Sequence, residues 1–226
     1  TVIDKPTLIG GFGYEIILLP YILETNRKPL ESYINDLYTN IFTTQEVKQR
    51  IILSHNDICG IRYGQWESKV GFDIKEIEDN CSLCINGHLH NQQQVSKKIL
   101  NLGNLTGQNF SEDAFKYSHC AAILNTDTLE VELINNPHAF HFYKLEIDTM
   151  EQFNIKMLQL EKENNVILTI KVPSNISKEV KERLQESTFI YSRVLVNYTK
   201  EWLEKSENNK IDLDVDYINK FKKFIE

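Results

Sequence analysis

Twice in the first half of the chain, a short and largely apolar run breaks off in polar residues at a histidine. The first is Arg50-Ile51-Ile52-Leu53-Ser54-His55. The second runs from Cys81 to Ile85 and continues as Asn86-Gly87-His88-Leu89-His90. A strand with one face in water alternates apolar and polar residues. A run without that alternation is covered on both faces, as in a parallel sheet packed between helices. Helical spacing precedes each run: Leu30, Tyr33, Ile34, Leu37, Tyr38 and Ile41 over residues 30–49, and a second helix over 72–80. Strands alternating with helices predict an α/β fold whose C-terminal strand ends gather along one edge.

The surrounding sequence extends this pattern with β structure. Residues 7–23 read as a hairpin about Gly10-Gly11-Phe12-Gly13. After residue 90 come strands at 92–95 and 99–102, a hairpin of 119–124 and 128–134 about Asn125-Thr126-Asp127, and an alternating strand at 142–147. Residues 148–165 read as a charged helix or linker. A strand at 166–172, a helix at 177–186 and a strand at 189–198 then form a β-α-β unit, read as a small separate domain. Residues 203–216 are polar and acidic. The chain closes on an amphipathic stretch with Tyr217, Ile218, Phe221, Phe224 and Ile225 on one helical face, suited to docking on a partner. The predicted division is 1–147, 148–202 and 203–226.

Charge limits the function classes. Lys+Arg total 25 and Asp+Glu 32, so the net charge is 25 − 32 = −7. A strongly basic nucleic-acid-coating protein is excluded, and contact with a polyanion calls for a local patch or bound cations. Cys81 and Cys84 form one C-x-x-C without a second pair, so they read as reduced thiols in a core strand, with Cys59 and Cys120 alone. The apolar run Ile16-Ile17-Leu18-Leu19 stops at Pro20, and no run approaches the ~18 residues of a membrane span. No membrane and a cytoplasmic location are expected. The sequence starts at Thr1 without Met and reads as the middle of a longer protein.

The chemistry concentrates at His55, His88 and His90. Each follows a buried strand, a rigid platform from which a loop can turn imidazoles toward one point, and Gly87 would permit a close backbone approach there. Three imidazoles at one sheet edge suit Mn, Fe or Zn. His119, His138 and His141 read as surface-loop residues, and Asn56, Asp57 and Arg62 as ordinary loop polars.

Asn86-Gly87-His88-Leu89-His90 resembles the G-H-x-H motif of calcineurin-like metallophosphoesterases, and Leu53-Ser54-His55 resembles the single-histidine motif before it. The run Ile99-Leu100-Asn101-Leu102-Gly103-Asn104-Leu105, with Asn109-Phe110-Ser111-Glu112-Asp113, is similar to the segment after G-H-x-H in SbcD-type DNA repair and recombination nuclease subunits, phage versions above all. The resemblance implies the C-terminal part of a metallophosphoesterase β-sandwich flanked by helices, then a β-α-β capping domain and a C-terminal helix. It implies two Mn ions (Mg, Fe or Zn also suit), with His55 and His88 as ligands of one and His90 of the other. It implies Mn-dependent phosphodiester hydrolysis on DNA in repair, recombination or phage replication, in the host cytoplasm for a phage protein. Asn104 and Gln108 would lie toward DNA. An ABC-type ATPase of the SbcC type would receive the C-terminal helix, and the nuclease subunit would be a homodimer.

The chain departs from the family in lacking D-x-H, G-D and G-N-H-D/E; its only G-N, Gly103-Asn104, continues with Leu105. The bridging carboxylate and the catalytic histidine would therefore come from a missing front half or from a separate chain, and the isolated chain is expected to be inactive. Two other classes compete: a phosphoesterase acting on small phosphate esters or phosphoproteins, and a non-catalytic ATPase-binding scaffold.

Overall fold

A computed structural model describes residues 2–10, 13–39, 49–63, 66–110 and 112–197. The chain forms two compact units, Thr1–Tyr143 and Lys144–Glu226, divided within one strand. The described architecture is mixed α/β.

In the first unit, β1 (Thr7–Gly10) and β2 (Tyr14–Leu19) make the expected hairpin. Helix α1 (Leu30–Tyr38) and strand β3 (Gln49–Ser54) follow. Four two-residue strands come next: β4 (Ile58–Cys59), β5 (Arg62–Tyr63), β6 (Trp66–Glu67) and β7 (Phe72–Asp73). Then come α2 (Ile74–Asn80), β8 (Leu83–Asn86), β9 (Gln93–Gln94), β10 (Ile99–Asn101), β11 (Cys120–Leu124), β12 (Val131–Asn135) and β13 (His141–Glu146). The second helix begins at Ile74 rather than residue 72, because Phe72 and Asp73 pair in parallel with Ile58 and Cys59. The first helix is described only as far as Tyr38, and residues 40–48 lie outside the described part.

The main sheet has the order β1-β2-β3-β8-β10-β9. Its four central strands run parallel and its two edges are antiparallel. The lack of alternation in the two histidine-ended runs has the expected cause: Ile51, Ile52, Leu83 and Cys84 are all buried. Leu30 and Ile34 from α1 and Ile77 from α2 close over Ile17, Leu19, Ile52, Cys84 and Ile99. Glu15 is also buried in the central strand β2, held there by Arg50 and the Tyr38 hydroxyl. A buried carboxylate without such donors would be strongly unfavourable.

All four cysteines are free. Cys84 lies in β8, but Cys81 ends α2 and precedes the strand, which begins only at Leu83. Burial pushes the Cys81 thiol up to about 11 and raises Cys84 further still. Thiolate is the reactive form. In the native protein near neutral pH, both thiols should therefore resist a soluble disulfide reagent and become titratable on unfolding. Fast native labelling of Cys81 with burst kinetics would contradict this burial. The sign for stability follows: both thiols contribute fully below their unfolded pKa, and the contribution is lost as pH rises through the alkaline range.

In the second unit, β13, β14 (Val166–Pro173) and β15 (Tyr191–Asn197) form a sheet in that order, and β14 and β15 are parallel. Helix α4 (Ser177–Gln185) connects them and buries Val180 and Leu184, giving the expected β-α-β unit. Residues 148–165, left open between helix and linker, contain helix α3 (Met150–Leu160). Thr149 caps it by accepting a hydrogen bond from the Gln152 N–H, and Phe153, Met157 and Leu160 supply its buried stripe. Tyr217, Ile218, Phe221, Phe224 and Ile225 lie outside the described residues.

Candidate metal centre

The site is set by register. Leu19 pairs with Ser54, Ser54 with Asn86, and Asn86 with Asn101. These four residues form one row at the C-terminal end of the parallel strands. His55 and Gly87 are therefore the next residues out, on adjacent strands. The His55 and His88 rings stand 5.0 Å apart, edge to face.

Three asparagines with no exposed surface tie the row together. Asn86 Oδ1 accepts from the Asn56 N–H at 3.0 Å, and Asn86 Nδ2 donates to Asn101 Oδ1 at 3.0 Å. Asn101 Nδ2 donates to the carbonyls of Leu89 and Asn91, which flank His90. Asn56 Nδ2 donates to the carbonyls of Leu19 and Pro20, and Asn56 Oδ1 accepts from the Ile22 N–H. Each loop leaving the sheet is thus held to the next by side-chain amides in a dry setting, where such bonds are expensive to break. Asn56 is no ordinary loop polar as the sequence reading had it; it is a structural strut.

His88 lies against Tyr21, with ring centroids 5.1 Å apart and planes 25° from parallel. Its Nε2 is 3.4 Å from Asp57 Oδ1, while its Nδ1 is buried without a hydrogen-bond partner among the described residues. A proton on Nε2 facing the carboxylate is the favourable tautomer. It leaves a buried lone pair on Nδ1 that only a donor or a cation can satisfy. His55 has a lowered pKa, first through burial and then through the charges of His88 and His90. It is held in the neutral form that a metal requires. A cation at this point would have the two imidazoles of His55 and His88 as its protein ligands.

His90 faces a different partner. Its Nδ1 is 3.1 Å from Oε1 of Glu112, a carboxylate with 2% exposure. No group of three or more His, Cys, Asp or Glu side chains gathered to hold a metal occurs among the described residues. The set for a second ion is thus one histidine. Gly87 is also less demanding than its place in the motif suggests, since a Cβ there would meet His55 Nδ1 at 3.6 Å, an ordinary contact.

Asn104 is turned inward, its amide donating to Glu112 Oε1 at 3.2 Å, whereas Gln108 has an exposed side chain and uses its backbone N–H on the same carboxylate. His119 is not a surface-loop residue: it is 2% exposed, with Nδ1 3.2 Å from the Asn104 carbonyl oxygen and its ring 5.7 Å from that of His141. His141 is likewise in strand β13 rather than a loop, and His138 is exposed as expected. Sequence reasoning missed Glu112 and the roles of Asp57, Asn86 and Asn101. The signal available for Glu112 was its place in Asn109-Phe110-Ser111-Glu112-Asp113, downstream of the histidine pair. No protein-family model matches the chain, and no curated protein matches it. No helix among the described residues is long and apolar enough to cross a membrane.

Proposed function

We propose that this chain is the metal-binding C-terminal portion of a metallophosphoesterase of the SbcD type, a Mn-dependent nuclease subunit acting on DNA. The observation that carries the reading is the pair of imidazoles, His55 and His88, delivered 5.0 Å apart by adjacent parallel strands. A bound divalent cation supplies Lewis acidity toward a phosphoryl oxygen and acidifies water. His55 and His88 would hold one such ion, His90 would contribute to a second, and Asp57 would orient His88. The β-α-β unit supports the capping-domain part of the reading, since its element order is the one the resemblance implies.

This chain carries neither D-x-H nor G-N-H-D/E. Alone it should take up at most one Mn2+ weakly and leave DNA intact. Joined to a segment bearing those motifs, it should cleave DNA with Mn2+, and His88→Ala should abolish cleavage while the circular dichroism spectrum stays unchanged. Cleavage by the isolated metal-loaded chain, or cleavage surviving His88→Ala in the joined protein, would refute the assignment. The small-ester phosphatase reading predicts instead a preference for nucleotide over polymeric substrate in the same assay.

A further inference from the structure

We infer that Glu112 is a positioning residue for His90, fixing the imidazole proton on Nδ1 and presenting Nε2 as the lone-pair nitrogen at the sheet edge. The inference deepens the metal reading, because Nε2 is the nitrogen left to ligate, yet the tautomer it names exists with or without an ion.

The argument starts from what surrounds the carboxylate. Glu112 is 2% exposed. Its oxygens face donors: Asn104 Nδ2 at 3.2 Å, Asn109 Nδ2 at 3.3 Å, and the Gln108 N–H at 3.3 Å from Oε1 and 3.2 Å from Oε2. Every one of these is a donor, so the carboxylate oxygens serve as acceptors. His90 Nδ1 lies 3.1 Å from Oε1. A bare Nδ1 there would set a lone pair against an anion, so the proton belongs on Nδ1. Asn109 Nδ2 lies 3.4 Å from Nδ1 and could donate to a bare nitrogen, but that arrangement would keep the repulsion with Oε1. The His90 side chain is 41% exposed while its partner is buried. The carboxylate therefore grips the inner edge of the ring and leaves the outer nitrogen accessible. A histidine whose far nitrogen donates to a carboxylate is both oriented and made a stronger base.

The anchor is fixed in turn. Asn104, which donates to Glu112, also receives His119 Nδ1 at its main-chain oxygen. A rigid donor cage leaves the carboxylate little freedom to rotate away from the ring.

The test is long-range nitrogen–proton NMR on the full chain, metal-free, at a pH where imidazole is neutral. His90 should be in the Nδ1–H tautomer in the wild type, and Glu112→Gln should shift it several-fold toward Nε2–H. A wild-type His90 in the Nε2–H form overturns the inference, as does a tautomer ratio unchanged in Glu112→Gln. If Glu112→Gln fails to fold, the wild-type spectrum decides alone. A Mn2+ titration of the wild-type chain separates the two readings, since the one ion expected here would be held by His55 and His88, away from Glu112. A wild-type chain with Nδ1–H His90 that takes up no Mn2+ upholds the Glu112 assignment and overturns only the metal reading.

Discussion

Asn86→Ala should lower the unfolding free energy by about 3 kcal/mol, mostly through the groups it leaves behind. The substitution removes the acceptor of the Asn56 N–H and the donor to Asn101 Oδ1, both in a region with no exposed surface. A buried polar group stripped of its partner costs roughly 1–3 kcal/mol, and here there are two. Asn101 cannot compensate by flipping its amide, because Nδ2 is already committed to the carbonyls of Leu89 and Asn91. Asn86→Asp keeps the size and the acceptor but turns a second oxygen on Asn101 Oδ1, so it should also be strongly destabilising at neutral pH. Urea denaturation of the purified chain measures both. A loss below about 1 kcal/mol for Asn86→Ala would mean that the asparagine row is ornamental and that strand pairing alone holds the histidine loops.

Gly71→Ala should be at least as damaging, with a thermal midpoint lowered by roughly 6–12 °C for about 3 kcal/mol. Gly71 has φ +113°, and a Cβ there would stand 2.3 Å from the Asp57 carbonyl carbon and oxygen and 2.6 Å from the Ile58 nitrogen. Backbone cannot yield as a flexible side chain can. The displaced segment is the one that carries Asp57 toward His88, so the same variant should disturb the His88 ring environment in NMR spectra. Gly60 is the internal control. Its φ is +87°, but a Cβ there would meet only Ile74 Cδ1 at 3.6 Å. Gly60→Ala should therefore show the conformational penalty alone, about 1–2 kcal/mol. Equal losses for the two variants would rule out the close approach at Asp57 as the cause.

The parts of the fold that were legible in the sequence are those governed by local composition. The β3 and β8 runs carry their burial in Ile51, Ile52, Leu83 and Cys84, and the β11–β12 turn carries its signal in Asn125, whose side chain accepts from the N–H groups of Asp127 and Thr128. The β-α-β unit was readable for the same reason. What could not be read depends on partners distant in sequence. Asn56 and Glu112 have residue types that usually face water, and His119 one of intermediate preference. They are buried because Asn86, His90 and Asn104 supply bonds to them from 30, 22 and 15 positions away. The three histidines were found by motif. That His55 and His88 form a pair while His90 turns to Glu112 comes from strand register and loop path, which a motif does not encode.

The asparagine row also sets an order of events. Its members come from residue 56, residue 86 and residue 101, joined through strands whose parallel pairing requires long crossovers. Parallel partners far apart in sequence pair late, after the entropy of closing the intervening chain has been overcome. During synthesis, β8 stays an open edge until Ile99–Asn101 emerges and pairs with it. The last bonds of the row, from Asn86 to Asn101 and from Asn101 to the carbonyls flanking His90, form only when that strand is in place. A chain stalled before residue 99 would thus present β8 with an unpaired strand edge.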